Sequence, residues 1–480
     1  MAYKKGLAYE TRKGNDIDQM RTLQKNIPGP KSIFGWRMNM IRFYRNPFIY
    51  SRWLHNTYGK VVALGQGEKP SYVFAFGPGL NERILTNPDL FKVSSSLVKI
   101  PKDSLLGRMF FNNLIMMSGE KHKQHRRLMQ PAFHREQIKT YCTDMVQLTQ
   151  RLSNSWQENS VIELNHEMKT LTQRIAVKTL FGLYDEAELD QMGRLIHQMT
   201  KSLLFVTLAP INLPGTPYHR ALRSAKKLNN HVRAMIAEKR LETNATDVLA
   251  SLIQARDEDG TQLNDDELVG HAFTLYVAGH ETTANALTWA IFLLSQHPDI
   301  LYNLLEELNG TLGGCDPTIE KLGSLPLLDG VIKETLRLLP PAGIGVRITS
   351  DSCKLGDFTI PKDTNVFFNQ MVTHRLPELY DEPDCFKPKR WNSIKRSPYE
   401  YLPFSSGQHM CIGWNFAIQE MKVILAVLLQ RFQFSVVHSA KISPNMMMRP
   451  KYGMPMHIFN QNRQFQQNSV RGAINQLITF

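Results

Sequence analysis

The chain has 480 residues, a formal net charge of +14 and only five cysteines, with 42% apolar and 21% charged residues. This composition excludes a collagen, a coiled-coil rod, a disulfide-stapled miniprotein and a mainly disordered chain. Residues 1–26 are polar and carry both charge signs, and the longest apolar runs are far shorter than a bilayer-spanning helix. We therefore expect no secretory signal and no transmembrane segment.

The first half of the chain predicts one hairpin followed by helices. Two β-rich pieces within residues 60–76 flank the turn-forming stretch Gly65–Pro70 and indicate a hairpin. Within residues 118–255, most windows have the period of an amphipathic helix, with one proline-rich break at residues 208–217.

A long helix is predicted in the second half. Asn264–Glu267 has the pattern of a capping box, and the helical pattern runs from it to His297 without a break. About 33 residues at 1.5 Å each give a helix of roughly 50 Å. A helix of that length must cross the whole core.

The remaining pattern completes a prediction of the fold class. A helix is expected at Leu327–Leu339 and another at Trp414–Gln430, with short strands at Gly345–Thr349, Phe358–Ile360 and Asn365–Phe368. We expect a mainly α fold with a minor β part, built as a single large domain with a long central helix. This domain spans residues 27–459, between the polar segment 1–26 and a Gln- and Asn-rich tail at 460–480 that we expect to be loosely held.

A cysteine lies in a glycine-bracketed loop, Phe404–Gly413, directly before the last predicted helix. Backbone N–H groups at the start of a helix favour a thiolate at Cys411. Glycines on both sides let a flat, bulky group lie against the backbone. For this loop taken alone, a buried structural cysteine is the alternative.

One acid and two bases form a candidate network. Glu334 and Arg337 are three residues apart and share one helical face, where they can pair. Arg390, in the stretch Phe386–Trp391, could extend this pair to three members. Taken alone, such a pair is more typical of a solvated helix surface.

The middle of the long helix contains a polar break, Ala278–Thr283. Gly279 lowers helix stability and leaves a notch, and the Thr282 hydroxyl can bond a backbone carbonyl and bend the helix. The Glu281 carboxylate is costly in an apolar core unless it has a use. A tolerated kink is the simpler interpretation of this segment by itself.

Together these motifs, in this order and at these spacings, resemble the cytochromes P450, the haem-thiolate monooxygenases. The resemblance covers nearly the whole chain, from Pro28–Pro30 to Arg449–Gly453. It implies the cytochrome P450 fold, a haem domain at residues 27–459, and haem b as the cofactor. Cys411 would be the axial thiolate of the haem iron, with Phe404 packed beside it.

The same resemblance implies roles for the polar groups around the haem. Glu334, Arg337 and Arg390 would form the structural network behind it, and Gly407 and Gly413 would let the loop approach it closely. Contacts with the haem propionates are implied for His122, Arg126, Arg347 and His409. The two histidines stand where the family more often has Trp and Arg, respectively.

Above the haem, the resemblance implies oxygen chemistry on the long helix. Ala278 and Gly279 would leave room for dioxygen and substrate. Thr282 would hydrogen-bond dioxygen and an ordered water, and Glu281 would relay protons from solvent. His280 is not required by the family pattern, so we interpret it as a helix-packing or solvent-side residue.

Apolar stretches at the family's pocket positions predict a hydrophobic substrate, such as a fatty acid, a terpenoid or a polyketide-like molecule. These stretches are Leu105–Met117, Leu203–Leu213, Ala342–Ile344 and Tyr452–Met454. The pocket residues that we single out are Phe110, Phe111, Leu114, Phe273, Ala342 and Ile344. The proline-rich stretch at residues 210–217 is either a lid over this pocket or a surface that touches a membrane.

Electrons are expected from a separate protein, because the sequence shows no fused flavin or iron–sulfur motif. We expect a ferredoxin or flavodoxin-type donor, whose reductase draws on NAD(P)H. Its acidic face would meet Lys121, Lys123 and Arg127. No nucleic-acid-binding module is found, so we expect no nucleic-acid partner. We expect a cytoplasmic location, with peripheral membrane contact left open.

Three alternatives compete with a monooxygenase. The same haem could support rearrangement or peroxygenase chemistry without an electron donor, although such enzymes often lack the acid and alcohol that Glu281 and Thr282 provide. The chain could be a haem sensor or carrier, which would bind haem without NAD(P)H-dependent turnover. It could also be a basic protein that binds nucleic acid or membrane with a steep salt dependence.

Overall fold

A computed structural model of the protein describes residues 26–31, 35–65, 70–94, 100–183, 185–206, 212–242, 246–445, 448–465 and 467–480. In the first half of the described chain the helices are α1 (Trp36–Arg45), α2 (Pro47–Tyr58), α3 (Pro78–Leu85), α4 (Leu105–Phe111), α5 (Gly119–Met129), α6 (Arg135–Asn154), α7 (Leu164–Phe181), α8 (Glu186–Val206) and α9 (Pro217–Lys239). In the second half they are α10 (Val248–Gln254), α11 (Asp265–Ser295), α12 (Pro298–Leu312), α13 (Ile319–Gly323), α14 (Pro326–Leu338), α15 (Gln370–Thr373) and α16 (Trp414–Arg431).

The strands of the described residues form three small sheets. In chain order they are β1 (Val61–Ala63), β2 (Tyr72–Ala75), β3 (Phe91–Val93), β4 (Val161–Glu163), β5 (Ile344–Thr349), β6 (Cys353–Leu355), β7 (Phe358–Ile360), β8 (Asn365–Asn369), β9 (Phe432–Val436) and β10 (Pro455–Asn460). The largest has the order β1-β2-β8-β5-β3, the second β4-β10-β9, and the third β6-β7. The predicted hairpin is the antiparallel pair β1–β2, in which Val62 lies opposite Phe74. Its turn, residues 66–69, lies outside the described residues.

The long helix is present where the sequence predicts it. The capping box is complete: the Asn264 side chain accepts from the Glu267 backbone N–H at 3.0 Å, and the Glu267 carboxylate accepts from the Asn264 N–H at 3.1 Å. The 31 residues of α11 span about 47 Å and pack against α7, α4 and α16. Every residue from Thr283 to Ser295 is buried. Strand β9 also packs against this helix, so both helices and sheet cover α11. The prediction of a mainly α fold with a central helix is confirmed.

The C-terminal tail is held against the body, so the expectation that it is loosely held is wrong. Ile474, Leu477 and Ile478 are buried in the main core. The backbone N–H of Thr479 donates to the Asp384 carbonyl at 3.0 Å. A polar composition favours disorder only where too few apolar side chains are buried, and these three anchor the tail. The division into segments 1–26, 27–459 and 460–480 stays a prediction.

In the part of the chain that the structure describes, no helix is both long and apolar enough to cross a lipid bilayer.

Candidate functional site

The conformation of the cysteine loop requires a glycine at position 407. Gly407 has φ of 70°, and a Cβ there would collide with the carbonyl oxygen of Leu85 on α3, so glycine is required. The Cys411 N–H donates to the Phe404 carbonyl at 2.9 Å and closes the loop. Helix α16 begins three residues after the cysteine. Gly413 is its N-cap residue and lies beside the Phe133 ring.

Opposing effects act on the pKa of the Cys411 thiol. Solvent reaches the side chain, yet the surrounding protein atoms desolvate it and raise the pKa of the thiol. The Gly413 N–H and the charge of Arg126 act in the opposite direction and lower this pKa. The loop therefore offers a thiolate the two features that stabilise it, a backbone donor and a nearby cation.

Four predicted residues gather around the loop from three separate elements. His122 and Arg126 lie on α5, Arg347 on β5 and His409 in the loop itself. The rings of His122 and His409 are 4.1 Å apart, and Arg126 Nη1 donates to the Met410 carbonyl at 2.7 Å. Burial lowers the pKa of His409 to about 3 and that of His122 to about 4, and the two arginines add to both shifts.

This cluster is suited to an anionic group. Burial lowers the pKa of Arg347 to about 10, and its guanidinium donates to the Val346 carbonyl at 2.9 Å. Among the described residues, no carboxylate forms an ion pair with Arg126 or Arg347. Partly buried cations without a counter-ion are costly. The residues therefore fit a haem whose propionates would neutralise them while Cys411 holds the iron.

The predicted acid–base network is buried behind this site. The Glu334 carboxylate receives two hydrogen bonds from Arg337, at 2.8 and 2.9 Å, and one from Arg390 at 3.0 Å. Trp391 Nε1 adds a fourth at 2.9 Å. Glu334 and Arg337 are fully buried. Arg337 also donates to the His374 carbonyl, so the network joins α14 to the irregular segment before the cysteine loop.

The polar break of α11 remains helical, and hydroxyl groups donate to its backbone carbonyls. The Thr282 hydroxyl donates to the Ala278 carbonyl at 2.5 Å, and the Thr283 hydroxyl donates to the Gly279 carbonyl at 2.9 Å. Thr172 on α7 donates to the His280 carbonyl at 2.9 Å. The helix therefore carries three carbonyls bonded by hydroxyls within one turn, which is the pattern that bends or loosens a helix.

Glu281 lies between two cations that the sequence did not indicate. Its carboxylate is 3.6 Å from Lys169 Nζ on α7 and 3.5 Å from Arg449 Nη1 near the C-terminus. All three side chains keep partial contact with solvent. Burial lowers the pKa of Lys169, and the charge of Glu281 opposes this shift. His280 packs its ring 4.7 Å from Tyr276, in agreement with its interpretation as a packing residue.

Two further buried polar groups were missed. Glu420 on α16 is buried, which raises its pKa well above its usual range, and a hydrogen bond with Thr283 opposes that rise. His125 Nδ1 lies 2.8 Å from His271 Nε2, and its Nε2 lies 3.4 Å from the Glu267 carboxylate. Glu420 stands beside Gln419 and close to Lys422, before the apolar run of α16, so residue type gave no signal of its burial. The histidine pair had no signal either, because it joins α5 to α11.

The predicted substrate-pocket residues come from three parts of the fold: α4 and the turn after it, α11, and the segment that leads into β5. Phe110 and Phe111 on α4 pack ring to ring at 5.4 Å, Leu114 follows them, and α4 packs directly on α11, which carries Phe273. Ala342 is exposed and Ile344 half-buried at the start of β5.

The outer parts of the predicted pocket differ from the expectation or lie outside what is described. Tyr452 is a surface residue, whose ring lies beneath the ammonium groups of Lys441 and Lys451. Met454 is fully buried in the core. In the stretch Leu203–Leu213, residues 207–211 lie outside the described residues.

The three cations predicted to meet an electron donor are already paired. Lys121 Nζ is 2.9 Å from Glu267, Lys123 is 2.6 Å from Glu120, and Arg127 is 2.9 Å from Asp257. Pairing lowers the positive potential that these side chains present to solvent. The sequence analysis identified these three cations but did not identify the acids that pair with them.

Comparisons with known proteins place the chain. The cytochrome P450 family model matches residues 27–457, so the chain belongs to the cytochrome P450 family. Cyclooctat-9-en-7-ol 5-monooxygenase of Streptomyces melanosporofaciens is 32% identical over 420 residues, covering 85% of this chain and 89% of that protein. Pentalenene oxygenase of Streptomyces avermitilis is 31% identical over 425 residues, covering 87% and 92%.

A solved structure agrees with these relatives. Retinoic acid-bound cyanobacterial CYP120A1 has a TM-score of 0.77 and 25% sequence identity, and the match covers 91% of this chain and all of that one. The protein is a haem-thiolate monooxygenase that uses dioxygen on hydrophobic substrates, as the sequence predicts. Electron supply by a redox partner is typical of the family.

Proposed function

We propose that this enzyme hydroxylates a terpenoid, with Cys411 as the haem ligand. Relatives named for the oxygenation of pentalenene and of cyclooctat-9-en-7-ol match more than four-fifths of the chain. The aromatic and aliphatic side chains of α4 and α11 are consistent with a substrate of this class. Fatty acids and polyketide-like molecules are the competing classes. The observation that carries the proposal is the cysteine loop, with its backbone donor and adjacent cations.

The chain's own residues would hold the cofactor by three kinds of contact. Cys411 would bind the iron, and Arg126, Arg347, His122 and His409 would bind the propionates. The network of Glu334, Arg337 and Arg390 would keep the loop in register with α14. When bound, the haem supplies the activation of dioxygen that inserts one oxygen atom into the substrate.

Proton supply is proposed for the polar break of α11. Glu281 reaches solvent and is held by Lys169 and Arg449, so it can exchange protons with bulk water. The Thr282 hydroxyl is bonded to its own helix and can turn on its side chain to position a water or dioxygen. Ala278 has only a methyl side chain at this level of the helix. These residues would deliver protons while the surrounding apolar side chains exclude bulk water.

Electron transfer is proposed from a ferredoxin or flavodoxin-type donor reduced through NAD(P)H. Trp414 is 43% exposed and lies three residues after Cys411, at the start of α16. A large exposed aromatic beside the redox centre is the kind of side chain that anchors a protein partner. Because Lys121, Lys123 and Arg127 are engaged in ion pairs, we expect Trp414 to contribute more to docking than those cations do.

Two further expectations stay proposals. We propose a cytoplasmic location and no nucleic-acid partner. The membrane contact or lid expected at residues 210–217 rests partly on residues that the structure does not describe.

The first test is the difference spectrum of the reduced protein with carbon monoxide. A strongly red-shifted Soret band is expected for the wild type and should be lost in Cys411→Ser. The matched control is Cys315→Ser, since Cys315 is an exposed thiol outside this loop. Retention of the thiolate spectrum in Cys411→Ser would refute the ligand assignment.

Substrate class and electron source need separate measurements. Spin-state titrations should show the tightest binding for a terpenoid, and tighter binding of a fatty acid or a macrolide would contradict the proposal. Turnover should require the donor, its reductase and NAD(P)H. Turnover with hydrogen peroxide alone would favour a peroxygenase, and haem binding without any turnover would favour a sensor or carrier.

A further inference from the structure

The N-terminal helix pair lies in a stretch of unusual charge. Residues 26–67 contain no Asp or Glu, whereas they contain six Lys and Arg. Helices α1 and α2 lie within this stretch and pack on each other. A run of 42 residues without an acid in a chain that has 43 acids elsewhere gives this part of the surface a local positive charge.

Helix α1 has one face fixed to the protein and one face open. Its inner face buries Asn39, Met40 and Phe43. The Asn39 side chain donates to the Leu64 carbonyl at 2.8 Å and to the Pro30 carbonyl at 3.1 Å, which sets the rotation of the helix. The outer face is therefore determined, and its side chains cannot turn inward without breaking these bonds.

The outer face combines apolar tips with cations. Arg37, Ile41, Tyr44 and Arg45 are spaced i, i+4, i+7 and i+8, which places them on one side of α1. Ile41 is 53% exposed and Tyr44 is 50% exposed. Arg37, Arg42 and Arg45 are all exposed. Among the described residues, no carboxylate forms an ion pair with any of these three arginines.

The neighbouring helix α2 carries two aromatic side chains, Tyr50 and Trp53, on the side near Arg42. Arg42 is close enough to Tyr50 that its charge opposes the burial that raises the pKa of Tyr50 to about 12. The Tyr50 ring lies 5.3 Å from the ring of Trp53, which is 41% exposed. The acids near this face lie at its border. Asp384 pairs with Arg52, and the charge of Glu378 opposes the burial that lowers the pKa of His55.

We propose that this surface, formed by Arg37, Ile41, Arg42, Tyr44, Arg45 and Trp53, docks the enzyme on the surface of an anionic lipid bilayer. Arginines would meet lipid phosphates, while Ile41 and the rings of Tyr44 and Trp53 enter the headgroup region, where Tyr and Trp are enriched. A nucleic acid would use the cations but gives no reason for an exposed isoleucine among them. An acidic protein would use both kinds of side chain, and the vesicle experiment below separates it from a bilayer. This proposal does not depend on the substrate or on the proton pathway.

The test is co-sedimentation of the full-length holoenzyme with lipid vesicles. Binding to mixed phosphatidylcholine–phosphatidylglycerol vesicles is expected, with little binding to phosphatidylcholine alone, and added salt should release the protein. The triple variant Arg37→Gln/Arg42→Gln/Arg45→Gln should lower the partition coefficient about a hundredfold, since each cation near an anionic bilayer contributes about tenfold or less. Ile41→Ser/Tyr44→Ser should lower it while leaving its salt dependence unchanged.

A matched triple variant separates this surface from net charge. Arg135→Gln/Lys389→Gln/Lys395→Gln removes the same charge from exposed residues of other elements and should leave the partition coefficient nearly unchanged. Equal loss in both triples, or no binding of wild type to anionic vesicles, would overturn the proposal. So would intact vesicle binding in the first triple together with weakened binding to the electron donor or to DNA. The carbon monoxide spectrum shows that each variant is folded.

Discussion

The Glu281 carboxylate on α11 lies 3.6 Å from the Lys169 ammonium on α7, and Arg449 approaches the same carboxylate from the C-terminal side. The acid proposed to supply protons is therefore held by two cations from distant parts of the chain. This arrangement keeps the carboxylate at the solvent boundary rather than inside the apolar part of the helix. It also allows the role of Glu281 to be tested separately from the roles of Lys169 and Arg449.

Glu281→Gln is expected to lower kcat about a hundredfold, because a positioned acid–base group contributes at least that much. Lys169→Gln should have a smaller effect, since Arg449 still holds the carboxylate. The measurements are product formation and the solvent isotope effect on kcat, with the carbon monoxide spectrum as the control for the haem. Wild-type turnover in Glu281→Gln would rule out the relay.

Thr282→Ala is expected to retain haem but to divert electrons from NAD(P)H into hydrogen peroxide. The reason is that the methyl group cannot position the water or dioxygen that receives the protons. Product and peroxide are measured against NAD(P)H consumed. Thr288→Ala is the matched control, because Thr288 makes the same back-bond, to the Ala284 carbonyl at 2.7 Å, in the buried half of α11. Equal coupling in the two variants would contradict the proposed role of Thr282.

Glu334→Gln is expected to destabilise the protein by about 3–5 kcal/mol, because it leaves the buried cations of Arg337 and Arg390 without a full counter-charge. Denaturant unfolding of the holoenzyme measures this loss. Glu306→Gln is the control, since its ion pair with Arg463 is half-exposed and should contribute about 1 kcal/mol or less. Similar losses in the two variants would mean that Glu334 does not act as the centre of a network.

Acid is expected to destabilise the fold through His374. Burial, followed by the charge of Arg337, lowers the pKa of His374 to about 3. The folded protein therefore binds this proton less readily than the unfolded chain, whose histidine has a pKa near 6.5. The stability linked to neutral His374 is complete above the unfolded pKa and is lost as the pH falls from 6.5 toward 3, by about 1.4 kcal/mol per pH unit.

The geometry explains why the charged form of His374 is disfavoured. Its Nε2 accepts from the Leu402 N–H at 3.0 Å, and its Nδ1 donates to the Arg337 carbonyl at 3.2 Å. Protonation of Nε2 would break the first bond and place a charge beside Arg337. The unfolding free energy of His374→Gln should therefore vary less with pH between 4 and 6 than that of the wild type. Parallel curves for both proteins would contradict this assignment.

The elements with a short-range signal were predicted well. The strands β5, β7 and β8 and the helices α14 and α16 begin and end within one residue of the expected positions. Alternation, helical period, capping residues and prolines all act over a few neighbours, so they can be read from the chain directly. The Glu334–Arg337 pair was likewise within reach, because both members lie on one helix.

Other features depended on contacts that no local pattern records. The tail at residues 460–480 has a polar composition, and it is ordered because Ile474, Leu477 and Ile478 are buried in the core. Lys121, Lys123 and Arg127 were correctly identified as cations. The acids that pair with Lys121 and Arg127 lie on α11 and in the segment before it, so no local pattern records them. Glu120, which pairs with Lys123, lies only three residues away on α5. Lys169 and Arg449 are far from Glu281 in the sequence, and only the tertiary structure shows that they lie beside it.

By itself, the amino-acid sequence determined the family, the thiolate ligand expected at Cys411, the central helix and its acid–alcohol pair, because each of these resides in a contiguous motif whose chemistry depends on neighbouring residues. The tertiary structure alone decided which charges are paired, which acids and histidines are buried, and which helix face is open. Burial and ion pairing depend on the distance between residues that are far apart in the chain. Those distances are set by the packing of the whole molecule around α11 rather than by any one segment.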